Sequence, residues 1–78
     1  MLEVHVQLYS ILREKLPSSA RGRTVLRLDD DATLAEVLET LDIHRRVVIS
    51  VNGDYEPDRS RLLRDQDEVK VFSSVSGG

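Results

Sequence analysis

Hydrophobic residues take every second position at the start of the chain, and polar or aromatic residues take the positions between them. This period of two, with a single apolar face, predicts a half-buried β-strand over residues 2–9. Shorter alternating stretches predict further strands over residues 24–29 and 68–73. Residues 47–51 are apolar except for Ser50, which predicts a strand nearer the centre of the sheet.

A second periodicity, with apolar residues at i, i+3, i+4 and i+7, predicts the main helix of the chain. The apolar stripe consists of Leu34, Val37, Leu38 and Leu41. Thr33 and Glu36 open it in the T-x-x-E arrangement of a capping box, so we expect each side chain to accept a hydrogen bond from a free backbone N–H. A shorter helix of about two turns is predicted over residues 10–16, and Asn52-Gly53 predicts a tight turn after the third strand.

These segments follow one another in the order strand, short helix, strand, long helix, strand, irregular segment, strand. One amphipathic helix packed over one side of a small sheet is an α+β layer arrangement. A length of 78 residues allows one such domain. We therefore expect a single α+β domain over residues 1–72, followed by a flexible arm at residues 73–78.

Composition and charge argue against several classes of function. A net charge of −3 does not suit a dedicated nucleic-acid binder, which needs a basic excess to neutralise phosphates. The absence of cysteine excludes thiolate zinc sites and fits a reducing, cytoplasmic setting, and no run of ~20 apolar residues predicts a membrane span. His5 and His44 lie on different predicted elements, and residues 29–31 lack the spacing of a calcium loop, so we predict neither a metal site nor a catalytic residue.

The last residues, SSVSGG, carry the candidate chemistry. Glycines have no Cβ, so a diglycine tip fits a narrow channel and leaves the terminal carbonyl carbon open to attack. The α-carboxyl of Gly78 has an ordinary pKa of ~3.5, so it is ionised at neutral pH and unreactive as an acyl donor. Another protein must activate it, for example by adenylation with ATP, because this sequence has no G-x-x-x-x-G-K-[ST] phosphate loop.

Several motifs together point to a known family. They are VQLYSILREKL at residues 6–16, Val51-Asn52-Gly53, LRDQDEV at residues 63–69, Phe72 and the terminal diglycine. The chain resembles the ubiquitin-like β-grasp sulfur carriers over essentially its whole length, above all the small subunit of molybdopterin synthase, with the thiamin sulfur carrier as a close relative. The resemblance implies a β-grasp fold, a small mixed sheet of about four to five strands with one main helix across one face.

The sequence departs from the family pattern in two places. Gln66 stands where the family has Gly, so that turn must tolerate Gln or change shape. Ser73-Ser74 replace a stiff Pro-Pro pair, so we expect a more flexible arm before it docks.

The resemblance implies a carrier cycle centred on Gly78. A ubiquitin-activating-like enzyme uses ATP to adenylate Gly78, and delivered sulfur turns the carboxylate into a thiocarboxylate. The large subunit of molybdopterin synthase then uses this sulfur to build the dithiolene of the pterin cofactor. Val75, Ser76 and Gly77 form the arm that presents it. The chain itself binds no cofactor and is a co-substrate, because the catalytic residues belong to the large subunit.

Aromatic residues mark a candidate partner interface. Tyr9 and Phe72 are in phase with polar neighbours on their strands, so their rings point away from the face that meets the helix. The first and last strands of a β-grasp sheet are adjacent, so we expect these rings to adjoin. We predict that Tyr9, Tyr55 and Phe72 together dock the activating enzyme and the sulfur acceptor. The alternative is packing at the edge of the core, chiefly for Tyr55.

Other interpretations remain open at this point. The same carrier chemistry serves thiamin or cysteine synthesis if another enzyme accepts the sulfur. A ubiquitin-like modifier would be joined through Gly78 to lysines of target proteins, and having only Lys15 and Lys70 disfavours extensive chains but not single attachment. A bare interaction domain would not need Gly78. Arginines at 45–46 and 59–64 are either solvated surface or guide an acidic partner or anionic substrate.

Overall fold

The computed structural model describes residues 1–73, which form one five-stranded sheet with a helix across one face. The strands are β1 (Leu2–Leu8), β2 (Arg23–Leu28), β3 (Val47–Val51), β4 (Asp54–Tyr55) and β5 (Glu68–Ser73). The helix α1 spans Leu34–Thr40, and short 3-10 segments span Ser10–Lys15 and Ser18–Ala20. None of the helices within residues 1–73 has the length and hydrophobicity that a membrane crossing requires.

The strands lie in the order β2-β1-β5-β3-β4, so the last strand occupies the centre of the sheet. β1 and β5 run parallel, with Val6 opposite Val69, whereas the other neighbouring pairs are antiparallel. This mixed sheet with one helix confirms the predicted α+β class and the adjacency of the first and last strands.

The core lies between α1 and the inner face of the sheet. Alternate residues of β1, β3 and β5 point inward and meet the apolar stripe of the helix. The buried apolar residues are Leu2, Val4, Val6, Leu8, Leu12, Leu28, Ala32, Leu34, Val37, Leu38, Ile43, Val47, Ile49, Val51, Leu63, Val69 and Val71. One helix covers one face only, so the opposite face of the sheet, here called the open face, has no element of residues 1–73 packed over it.

The start of α1 differs from the predicted capping box. Thr33 is the N-cap residue, but its side chain makes no capping hydrogen bond, and the backbone N–H of Glu36 donates to the Thr33 carbonyl at 3.1 Å. The free N–H groups of Leu34 and Ala35 donate instead to the carbonyls of Arg61 (3.2 Å) and Arg59 (2.9 Å). The segment between β4 and β5 therefore caps the helix, because it lies across the first turn and offers its own carbonyls.

The prediction that residues 47–51 form a strand nearer the centre of the sheet is confirmed, although the apolar run has a different cause from the one expected. β3 has neighbours on both sides, but only its inner face is covered, and Val48 is 38% exposed on the open face. The continuous apolar run of this strand therefore reflects a hydrophobic residue on an uncovered face, not burial on both faces.

Candidate functional site

The open face places the predicted aromatic residues on neighbouring strands. Phe72 of β5 lies directly opposite Val48 of β3, and Ser50 of β3 lies opposite both Lys70 and Tyr55. Residues directly opposite in antiparallel strands point to the same face of a sheet. Tyr55, Val48 and Phe72 therefore all point away from the helix.

Tyr9 and Phe72 form a stacked pair, as the sequence predicted for adjacent first and last strands. Their ring centroids are 4.4 Å apart with an angle of 13° between the ring planes. The backbone N–H of Tyr9 donates to the Val71 carbonyl at 3.2 Å, which extends the β1–β5 pairing by one residue and holds the Tyr9 ring over Phe72. Tyr9 is half-buried and Phe72 is 36% exposed, so the pair presents an aromatic surface to solvent.

Tyr55 lies on the edge strand β4 and is 68% exposed on the same face, so the alternative that it packs against the core is wrong. Sequence reasoning missed Val48, although it is out of phase with the inward residues of its strand. We call Tyr9, Val48, Tyr55 and Phe72 the aromatic patch. Aromatic rings with polar neighbours are the usual anchors of protein interfaces, and their role as partner contacts in this chain stays a prediction.

The chain leaves the sheet beside this patch. Ser73, the last described residue, lies opposite Val47, one residue beyond the pairing of Phe72 with Val48. The predicted arm residues Val75, Ser76 and Gly77 and the predicted reactive Gly78 lie outside the described residues. The structure gives the point at which the chain leaves the sheet, next to Phe72 and Val48 of the aromatic patch.

A buried polar clasp fixes the start of β5. Asp67 is only 6% exposed, and its carboxylate accepts hydrogen bonds from the Asn52 side-chain amide (2.9 Å) and the Arg64 backbone N–H (2.8 Å). The Asn52 side-chain oxygen in turn accepts from the Glu68 N–H at 2.9 Å. The clasp joins the β3–β4 turn, in which Asn52 and Gly53 have φ angles of 53° and 90°, to the strand that leads to the arm.

Gln66 keeps the left-handed backbone that the family's Gly favours. Its φ is 69°, and its N–H donates to the Glu3 carbonyl at 2.7 Å. Its side-chain oxygen lies 2.9 Å from the ring nitrogen Nε2 of His5. The turn therefore tolerates Gln, with two contacts to β1 in partial compensation for the strained angle.

The histidines and carboxylates of residues 1–73 form no group of three that could hold a metal ion. His5 contacts Gln66, and Nε2 of His44 lies 2.7 Å from the Asp42 carboxylate. The residue types present on the open face suit docking of a protein surface.

Comparison with known proteins identifies both a sequence family and a shared fold. The model of the ThiS family matches residues 6–78. No match was found among curated proteins.

Solved structures share the architecture over nearly the whole chain. The small archaeal modifier protein 1 of Haloferax volcanii is 18% identical, with a TM-score of 0.77 over 96% of this chain and 100% of that one. The HVO 2177 protein of the same organism is 26% identical, with a TM-score of 0.77 over 99% of this chain and 87% of that one. A chain from the complex of subunits 1 and 2 of molybdopterin-converting factor from Helicobacter pylori is 18% identical, with a TM-score of 0.66 over 99% and 100%. These similarities confirm the β-grasp fold.

Proposed function

This chain belongs to the ThiS family of ubiquitin-like sulfur carriers, and on that premise we propose that Gly78 carries sulfur as a thiocarboxylate. The observation that carries the proposal is the extent of the family match, which runs through the terminal diglycine to residue 78. Gly78 offers an unhindered carboxylate, but an ionised carboxylate is a poor acyl donor and needs activation.

The proposed cycle has two covalent steps at this carboxylate. A Gly78 carboxylate oxygen attacks the α-phosphorus of ATP in a ubiquitin-activating-like enzyme, and pyrophosphate leaves to give the acyl adenylate. A sulfide nucleophile then attacks the carbonyl carbon and displaces AMP, which gives the thiocarboxylate with loss of a proton. The chain supplies the acyl group and the docking surface, and its partners supply the catalytic groups.

We further propose that the sulfur acceptor is the large subunit of a molybdopterin synthase, with this chain as the small subunit. The motifs around the Asn52–Asp67 clasp and the fold shared with a chain of the Helicobacter pylori complex support this choice. The aromatic patch beside Ser73 is the surface on which such a subunit would rest while residues beyond 73 reach its active site.

Conjugation to proteins is the second candidate, because the fold is also that of a small archaeal modifier protein. The two candidates differ in the product formed at Gly78. A carrier ends as a free thiocarboxylate, whereas a modifier ends in an isopeptide bond to a lysine of another protein.

Mass spectrometry of the intact protein, isolated from its own cell, tests the proposal. We expect a fraction of the chains to show the mass increase of one oxygen-to-sulfur exchange, confined to a C-terminal fragment that contains Gly78. A chain that lacks Gly78 should lose this species. The matched control, Ser74→Pro, restores a family residue in the arm and should keep it. If isopeptide adducts are found and no sulfur-containing form is, the sulfur-carrier proposal is wrong and the protein-modifier proposal is favoured.

A further inference from the structure

Charge is separated along the direction of the strands, although the net charge of the chain is small. β1 and β5 end, and β2 and β3 begin, at one end of the sheet, which we call the arm end because Ser73 lies there. β1 and β5 begin, and β2 and β3 end, at the opposite end, which we call the far end. Ionisable residues of the two ends carry opposite signs.

Arginines dominate the arm end. Arg21 and Arg23 precede or open β2, whereas Arg45 and Arg46 precede β3. Arg13 belongs to the 3-10 segment after β1, and its side chain lies against Gly22, whose carbonyl accepts the Leu8 N–H at the end of β1. All these arginines are exposed.

Two acidic residues, Glu14 of the 3-10 segment and Asp42, lie among the arm-end arginines, which outnumber them. Asp42 is held by Lys15 at 3.8 Å and by His44 at 2.7 Å. Within residues 1–73, no ion pair involves Arg13, Arg21 or Arg45, and Arg23 donates to the neutral Gln7 side chain at 2.7 Å. The charges of Arg13, Arg21 and Arg45 therefore face solvent at the end of the sheet where the chain leaves it.

Carboxylates dominate the far end. They are Glu3, Asp29, Asp30, Asp31, Asp54, Asp65, Asp67 and Glu68. The cations at the far end are fewer, and two of them form ion pairs: the Met1 ammonium lies 2.7 Å from Asp30, and Arg27 lies 3.5 Å from Glu3. The protein therefore has an electric dipole whose positive pole is at the arm end, and a charged partner experiences this field as it approaches.

From this separation we infer that the arm end docks on an acidic protein surface surrounding the channel that receives residues beyond 73. The inference rests on the proposed function for the existence of that channel, and on charge complementarity for its acidic rim. The arginines at the arm end attract such a partner over a distance and orient the arm end toward it. This electrostatic steering raises association rates by ~10–1,000-fold. The acidic far end repels the same partner and disfavours the reversed approach.

Two charge-reversed variants with the same net charge as each other test the inference. Arg13→Glu with Arg45→Glu removes cations from the arm end, whereas the control, Arg27→Glu with Arg64→Glu, makes the same change in net charge at the far end. All four side chains are exposed, and thermal unfolding of both variants establishes that each is folded. A short poly-glutamate peptide serves as the acidic probe, titrated into the full-length isotope-labelled chain at low ionic strength.

We expect the peptide to shift backbone amides around Arg13, Arg21, Arg23 and Arg45, with affinity falling at least ~10-fold at physiological salt. The arm-end variant should lose at least ~10-fold in affinity, and the far-end control should change less than about twofold. In the producing cell, the sulfur-loaded fraction should fall in the arm-end variant and stay unchanged in the control. Equal weakening in both variants, or tighter binding of duplex DNA than of the peptide, would overturn the acidic-partner inference.

The peptide titration does not depend on the chemistry of Gly78, and a chain that lacks Gly78 should bind the peptide equally well. If the peptide fails to bind while sulfur loading proceeds, the docking inference alone is wrong. If the peptide binds at the arm end but no sulfur is ever found on Gly78, the carrier proposal alone is wrong.

Discussion

Gly22 and Gly53 both have positive φ angles but differ in what surrounds their Cα atoms. At Gly22 φ is +79°, and an added Cβ would lie 2.6 Å from the Leu8 carbonyl oxygen and 3.1 Å from Cγ of Arg13. At Gly53 φ is +90°, and an added Cβ would meet no atom within 4 Å. The first position needs glycine for space and for conformation, whereas the second needs it for conformation only.

Replacing each glycine by alanine separates these two costs. We expect Gly53→Ala to lower the free energy of unfolding by about 1 kcal/mol, the usual cost of a left-handed residue with a Cβ. Gly22→Ala should lower it by about 2–4 kcal/mol, because the Leu8 carbonyl must also move and this movement distorts the hydrogen bond from the Leu8 N–H to the Gly22 carbonyl. Urea denaturation measures both. Equal losses would show that the backbone near Leu8 relaxes freely.

Gln66 shows the limit of local sequence reasoning at this scale. The departure from the family's Gly was visible, but whether the turn survives depends on partners in β1, more than sixty positions away in sequence. Gln66 contacts Glu3 and His5 because the sheet brings β1 next to this turn. The residues adjacent to Gln66 in the sequence do not determine that arrangement.

The capping segment between β4 and β5 is held in shape by its own short-range hydrogen bonds. The Asp58 carboxylate accepts from the Ser60 hydroxyl at 2.6 Å and from the Ser60 N–H at 2.9 Å. These bonds, the hydroxyl first, hold the pKa of Asp58 below its ordinary value. A carboxyl with a lowered pKa stabilises the fold above its unfolded-state pKa, and that contribution is lost as the pH falls through its folded-state pKa.

Ser60→Ala should raise the pKa of Asp58 toward the ordinary value while leaving it lowered in part, because the backbone N–H still donates. Carboxyl chemical shifts followed through a pH titration measure this change. We also expect faster hydrogen exchange of the Leu34 and Ala35 amides, whose acceptors lie on the same segment. Ser19→Ala, at an exposed site elsewhere, should alter neither quantity, and an unchanged Asp58 titration in Ser60→Ala would contradict the assignment.

The positions of α1 and of the strands β1, β2, β3 and β5 followed from the hydrophobic pattern, whereas the two-residue strand β4 and the contacts at the start of the helix did not. The stripe from Leu34 to Leu41 located α1 because burial on a sheet imposes that spacing. The T-x-x-E motif gave the correct N-cap position and the wrong hydrogen bonds, since a distant segment supplied better-placed carbonyls. The apolar run in β3 correctly located an inner strand but not how its two faces are covered: Val48 faces an uncovered surface, and the apolar pattern cannot distinguish a buried face from an exposed one.

The aromatic patch exists only at the level of the whole molecule, because it joins residues of four segments far apart in sequence. Tyr9, Tyr55 and Phe72 were singled out by phase, but their arrangement beside Val48 follows from strand order. The adjacency of β1 and β5 was predicted from the family resemblance and not from alternation, and the structure adds that the two strands run parallel. The separation of charge between the two ends was hidden for the same reason, since the net charge says nothing about where the charges lie.

Phe72→Ser should reduce the sulfur-loaded fraction of the chain in its own cell by about an order of magnitude, as expected for loss of an aromatic interface anchor. Val25→Ser is the matched control: Val25 is similarly exposed, and it lies opposite His5 on the open face, away from the patch. This control should load normally. Thermal unfolding establishes that both variants are folded. Equal sulfur-loaded fractions in the two variants would show that Phe72 does not take part in docking.

The position of β5 also governs how the protein bears mechanical load. A partner that grips the chain beyond Ser73 pulls on a strand bonded on both flanks, to β1 on one side and to β3 on the other. Because β1 runs parallel to β5, tension between the two termini shears all the bonds of that pair at once and does not unzip them singly. We therefore expect the globule to stay folded when a partner pulls on the chain beyond Ser73.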